Sequence, residues 1–126
     1  MLKEQFDKAR YGSFLDKPML EGETFLTRSV MMGESEAIRD FIAVGADPDA
    51  PNAKGERPLD MALRLRDARC VEILIAYDAD IFRKVNGKNF RQRAQEANFQ
   101  EAVEAAAIVE RRQAAMARAM SMGGYI

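Results

Sequence analysis

The segment Gly55-Glu56-Arg57-Pro58-Leu59-Asp60-Met61-Ala62 decides the fold, because its pattern returns at a nearly constant interval along the chain. Gly22-Glu23-Thr24-Phe25-Leu26 stands 33 residues earlier, from Gly22 to Gly55, and a third copy opens at Gly87-Lys88-Asn89-Phe90 after a connection one residue shorter. Between them, Gly45-Ala46-Asp47 returns as Asp78-Ala79-Asp80 at the same interval of 33 residues. A period of this length indicates supersecondary units that stack on one another.

Three apolar side chains keep the same phase in each copy, with the i, i+3, i+4 spacing of one buried helix face. The trios are Ile38, Phe41 and Ile42, then Val71, Leu74 and Ile75, then Val103, Ala106 and Ala107. The pattern predicts an all-α fold of helix pairs that follow an N-terminal helix over residues 2–11. The expected pairs lie near 25–32 and 35–44, 58–65 and 68–77, and 90–97 and 99–120, with extended fingers at 46–56 and 79–88.

Two motifs carry a resemblance to a known family. Residues 55–62 are similar to the ankyrin motif Gly-x-Thr-Pro-Leu-His-x-Ala, and residues 42–50 are similar to Leu-Leu-x-x-Gly-Ala-Asp-x-Asn-Ala. The chain therefore resembles the ankyrin-repeat family over about residues 1–110, with a strong middle copy and degenerate outer copies, as is common at the ends of a solenoid. The resemblance implies an ankyrin-repeat solenoid of stacked helix pairs with finger loops.

We expect residues 1–126 to form a single ankyrin-repeat domain. Its parts are a capping helix and loop at 1–21, repeats at 22–54 and 55–86, a degenerate last repeat at 87–110, and a helical extension and tail at 111–126. Thr24 and Asn89 precede helices and have side chains that can cap them, whereas Arg57 at the matching position cannot. Arg91 stands where the other copies have leucine, so the last repeat is either less securely packed or turns Arg91 outward.

Composition narrows the function. The chain has 126 residues, no histidine and one cysteine, which excludes histidine bases, Ser-His and Cys-His pairs, and zinc sites of the usual kind. We expect no catalytic residue, no metal and no cofactor, although carboxylates or lysines alone keep an enzyme as the most distant alternative. Cys70 is expected to be a buried structural residue. Without a long apolar run or a signal-type stretch, a cytoplasmic location is expected, in the producing cell or a host cell.

The resemblance implies protein binding through the fingertips and the inner face of the first helices. The candidate residues are Ala53, Lys54, Glu56 and Arg57 on one finger, Arg83, Lys84 and Lys88 on the next, and Arg64 and Leu65 on the inner helix. Each of these residues, taken alone, is better explained as a solvated loop or surface residue. As a set they favour an interface, because function concentrates on loops that a rigid scaffold positions.

Charge is unevenly distributed along the chain, and its distribution indicates the kind of partner. Residues 1–53 carry six basic and ten acidic residues, whereas residues 54–93 carry ten basic and six acidic ones. Five basic residues and no acidic residue lie between 83 and 93. Because the net charge is −1 and no recognition motif accompanies the run, an acidic patch on another protein is expected rather than nucleic acid or membrane. A nucleic-acid-associated protein that uses residues 83–93 is kept as an alternative.

The extension past Glu110 has two interpretations. Met116, Met120 and Met122 can fold back and seal the end of the last repeat, whose core trio is small. They can instead form an adaptable docking surface, since methionine side chains are flexible. We expect the sealing role and a monomer. An assembly subunit that oligomerises through the C-terminal helix is the other alternative.

Overall fold

The computed structural model describes residues 15–18 and 20–123, and in this part of the chain the regular elements are helical. The helices are α1 (Phe25–Met31), α2 (Ser35–Ala43), α3 (Pro58–Leu65), α4 (Ala68–Ala76), α5 (Phe90–Glu96) and α6 (Gln100–Gly123). These bounds confirm the predicted all-α fold of helix pairs. The expected helix over residues 2–11 lies outside the described residues.

The chain divides into two compact units, of which the first ends at Asp80 and the second begins at Ile81. In the first unit α1 pairs with α2 and α3 pairs with α4, while α1 also packs on α3 and α2 on α4. The side chains that these contacts bury completely include Val30, Ile38, Leu59, Val71 and Leu74. Two successive helix pairs therefore share one core. The single-domain organisation of the whole chain stays a prediction.

The helix starts follow the sequence pattern. Thr24 forms a capping box on α1, in which the Thr27 amide donates to Thr24 Oγ1 at 3.0 Å and the Thr24 amide donates to Thr27 Oγ1 at 2.8 Å. Asn89 caps α5 through the matching pair of hydrogen bonds with Gln92, both 2.9 Å long. Arg57 makes no side-chain cap, and α3 begins with a proline instead, whose missing N–H costs nothing at that position.

One hydrogen bond recurs at the interval of the repeat within the first unit, which ends at Asp80. The Asp47 amide donates to Asp16 Oδ1 at 2.7 Å, and the Asp80 amide donates to Asp49 Oδ1 at 2.9 Å. Asp16 and Asp49 stand one period apart, so each carboxylate holds the start of the following finger. Partial burial raises the pKa of Asp49, and the hydrogen bond from Asp80 opposes that increase.

The second unit consists of one finger, α5 and a long α6 that packs on α5. Its finger closes with paired backbone hydrogen bonds between Val85 and Lys88, of 2.8 and 3.1 Å. Asn86 and Gly87 between them have φ values of 54° and 79°. Two successive left-handed residues of the Asn-Gly type are typical of a tight hairpin turn. The tip of this finger is therefore a defined turn.

The Arg91 side chain is turned outward. This was the second of the two outcomes that the sequence predicted for the last repeat. Its side chain is about one-third exposed and forms an ion pair with Glu110 of α6. Phe90 and Ala94 fill the buried side of α5 instead.

The extension does not seal the last repeat, so the sealing prediction is wrong. Helix α6 runs to Gly123, a little past the expected end, and every residue from 111 to 121 is exposed. Met116 is 54% exposed and Met120 is 72% exposed, whereas the side chain of Met122 lies outside the described residues. The physical reason is continuous helix propensity, because alanine, methionine, arginine and glutamine offer no break at which the chain could turn back.

Cys70 is fully buried, as predicted. Burial, together with the neighbouring Asp67 carboxylate, raises the pKa of its thiol to about 12. Because only the thiolate reacts, we expect labelling by a disulfide reagent at pH 8 to be roughly a thousandfold slower than for an exposed cysteine. The comparison is a Cys70→Ala, Ala76→Cys variant, which moves the thiol to an exposed position on the same helix. Equal labelling rates in native buffer would contradict burial of Cys70.

Candidate protein-binding surface

The tip of the first finger, which carries Ala53 and Lys54, is organised by a buried asparagine. Asn52 Oδ1 accepts hydrogen bonds from the Lys54 amide at 3.0 Å and the Glu56 amide at 2.9 Å. The Ala53 amide donates to the Gly22 carbonyl at 2.8 Å. Gly22 has a φ of 80°, and a Cβ there would lie 3.0 Å from the Ala53 Cβ, so this approach requires glycine. Ala53 and Lys54 are thus exposed on a fixed loop.

An ion pair connects this finger to the inner helix α3. Arg64 donates from Nε to Glu56 Oε2 at 2.8 Å and from Nη2 to Glu56 Oε1 at 2.9 Å. These hydrogen bonds raise the pKa of the Arg64 guanidinium. Arg64 remains 58% exposed, and exposed Leu65 follows it on the helix. Arg64 is therefore held in place while part of its side chain faces solvent.

The position of the Arg57 side chain differs from the prediction. The sequence placed it on the exposed fingertip, but its side chain is 3% exposed. Its Nε donates to Asp60 Oδ2 at 3.0 Å and its Nη2 to Asp60 Oδ1 at 3.4 Å. Because Arg57 occupies the residue before α3, its side chain lies against the first turn of that helix rather than on the tip. Arg57 is structural and does not belong to a binding surface.

The second finger carries the three exposed cations that the sequence singled out, Arg83, Lys84 and Lys88. Lys88 forms an ion pair with Glu96 of α5. The separation of eight residues equals that between Glu56 and Arg64, and the charges are reversed. Both units therefore link finger and first helix by an ion pair, with opposite polarity.

Phe82 is a surface feature that the sequence reasoning missed. Its side chain is 47% exposed and precedes the cations Arg83 and Lys84 on the same finger. The sequence contained a signal for this feature. Phe82 stands one period after Asp49, so it replaces the carboxylate that in the earlier copy accepts a hydrogen bond from the following finger. Phenylalanine and arginine are both enriched in the buried cores of protein interfaces.

The described part of the chain has neither a metal-binding cluster nor a membrane-spanning helix. Over residues 15–18 and 20–123, no group of three or more acidic, cysteine or histidine side chains is placed to hold a metal ion. Among the helices of the same residues, none combines the length and apolar character that crossing a bilayer requires.

Stacked helix pairs, capped first helices and hydrogen-bonded fingers define a helical repeat fold of ankyrin-like type. The cyclin-dependent kinase 4 inhibitor B of Bos taurus is similar to this chain, with 32% identity over 59 residues. The match spans 47% of this chain and 44% of that protein. That inhibitor is an ankyrin-repeat protein, so the match supports ankyrin-like repeats here. No family model matches the chain.

Proposed function

We propose that this chain is a non-enzymatic protein-binding module, acting as an adaptor, inhibitor or sequestering protein. The observation that carries the proposal is the fixed geometry of its exposed finger groups. Asn52 organises one tip, a defined turn closes the other, and an ion pair links each finger to a helix. A surface that is ordered before binding loses little conformational entropy when a partner docks. The similarity to a protein named as a kinase inhibitor supports the same class of function.

The proposed binding residues are the predicted ones other than Arg57, together with Phe82, and each unit carries its own set of them. The exposed cations are Lys54 and Arg64 in the first unit and Arg83, Lys84 and Lys88 in the second. Such a surface favours a partner with an acidic patch, and Leu65 and Phe82 supply apolar contacts. We place the activity in the cytoplasm, of the producing cell or of a host cell. The similarity to an inhibitor of cyclin-dependent kinase 4 makes that kinase the first candidate partner to assay.

Charge reversal on the second finger tests this proposal. We expect Arg83→Glu with Lys84→Glu to slow association with the partner about tenfold at low salt, because interfacial charges steer encounter. The rate should converge towards that of the unmodified chain as salt rises. Surface plasmon resonance at two ionic strengths measures both effects, first with the kinase and otherwise with a partner recovered by affinity purification.

A matched control makes the same change of charge away from the fingers. Arg39→Glu with Arg69→Glu alters two exposed arginines on α2 and α4, and we expect association to stay close to the unmodified rate. Equal slowing by both double variants, or salt-independent association, would show that the finger cations are only solvated surface.

A further inference from the structure

An apolar groove opens on the first helix pair. It has a volume of about 300 Å³ and lies between α1 and α2. Phe25 and Phe41 stack within it, with ring centroids 5.1 Å apart, and both rings are only partly buried. Ala37 also lines the groove. The volume is at the lower end of about 300–1,000 Å³ for ligand pockets, so it suits a few side chains better than a large small molecule.

The surroundings of this groove are acidic. Glu23 and Glu34 line it together with one cation, Arg28. Glu23 is held there because Asn52 Nδ2 donates to its Oε1 at 3.1 Å. The segment from residue 21 to residue 41 contains five acidic and two basic residues, a net charge of −3.

A cationic helix with the complementary composition lies at the end of the second unit. We call residues 111–121 the C-terminal arm, which as a helix is about 17 Å long. All its residues are exposed, and its charges are three arginines with no acidic residue, a net charge of +3. Met116 and Met120 are four residues apart and share a side of the helix. The residues between the charges are largely alanines, which allow close approach.

We infer that the C-terminal arm of one molecule docks in the α1–α2 groove of a second copy. The methionines would contact the Phe25 and Phe41 rings, a favourable pairing of sulfur with aromatic edges. The arginines would meet the acidic rim. A bilayer surface fits less well, since the arm lacks the Trp, Phe and Leu residues that insert into lipid.

The resulting contact is heterologous, because the arm and the groove are different surfaces of the chain. Each molecule then offers one arm and one groove, so association proceeds head to tail into short chains or a ring. The contact is small, and small interfaces are typically weak and transient. The inference is independent of the proposed function, because neither the arm nor the groove includes a residue of the proposed binding surface.

Sedimentation velocity with the full chain tests the inference. We expect the weight-average mass to rise with protein concentration and to fall towards the monomer as salt rises. Reversing the charge of the arm with Arg111→Glu, Arg112→Glu and Arg118→Glu should abolish association. The melting temperature should not change, because the arm is exposed. Reversing the charge of the groove rim with Glu23→Lys and Glu34→Lys should abolish association as well.

The decisive result comes from mixing these two variants. Neither should associate alone. In the mixture, the acidic arm of the first variant complements the basic groove of the second, and the unmodified arm of the second complements the unmodified groove of the first, so assemblies containing both variants should form. The Arg83→Glu, Lys84→Glu variant should associate as the unmodified chain does, which separates this interface from the proposed binding surface. An unmodified chain that is monomeric at every concentration, an arm variant that still associates, or a mixture that stays monomeric would overturn the inference.

Discussion

Replacing Leu74 with alanine is expected to lower the free energy of unfolding by about 2–5 kcal/mol. Leu74 is fully buried on α4, which packs on both α2 and α3. Removing its methyl groups leaves a cavity that closely packed neighbours fill only in part. Urea unfolding followed by circular dichroism measures the change. The spectrum of the folded variant should remain strongly helical.

Leu65→Ala is the control for this prediction. Leu65 is the same residue type on the adjoining helix α3, but its side chain is 43% exposed. We expect its replacement to change the free energy of unfolding by no more than about 0.5 kcal/mol. Equal, small effects of the two substitutions would contradict the shared core of the first unit.

Asp60→Ala is expected to lower the free energy of unfolding by about 3 kcal/mol, because it leaves a buried guanidinium without its carboxylate. Arg57 is 3% exposed and Asp60 is 16% exposed. Because Asp60 is partly exposed, the expected loss of stability lies at the lower end of the range for breaking a buried ion pair. Asp60 also lies in the first turn of α3, where a negative charge stabilises the helix. Chemical denaturation measures the loss.

A double-variant cycle isolates the ion pair. Arg57→Met added to Asp60→Ala removes the unpaired charge, so the double variant should be more stable than Asp60→Ala alone. Methionine keeps an apolar side chain of similar length at the buried position. If the two substitutions destabilise additively, Arg57 and Asp60 do not act as a pair, and the structural role given to Arg57 is wrong.

The periodic features of this fold could be predicted from the sequence because they arise from local physics. Glycine spacing, apolar trios and the caps at Thr24 and Asn89 each depend on a few neighbouring residues. The helix bounds consequently agree within a few residues. Burial of Arg57 was missed because the side chain turns along the helix rather than outward, although an acidic residue three positions later was a signal.

Features that depend on distant contacts were harder to predict. The ion pair of Glu56 with Arg64 joins a finger to a helix, and only the folded chain shows that they meet. Whether Met116 and Met120 are buried depends on whether the extension turns back onto the last repeat. An uninterrupted run of helix-forming residues up to Gly123 indicated that it does not. Phe82 could have been found by aligning the copies, since it replaces a carboxylate of the earlier ones.

Hydrogen–deuterium exchange of the chain with and without its purified partner tests the proposed binding surface most directly. We predict slower exchange in the bound state at residues 53–56 and 82–88 and at the end of α3, with α2 and α4 unchanged. Slower exchange confined to α2 and α4, with both fingers unaffected, would contradict binding through the fingers and the inner helix.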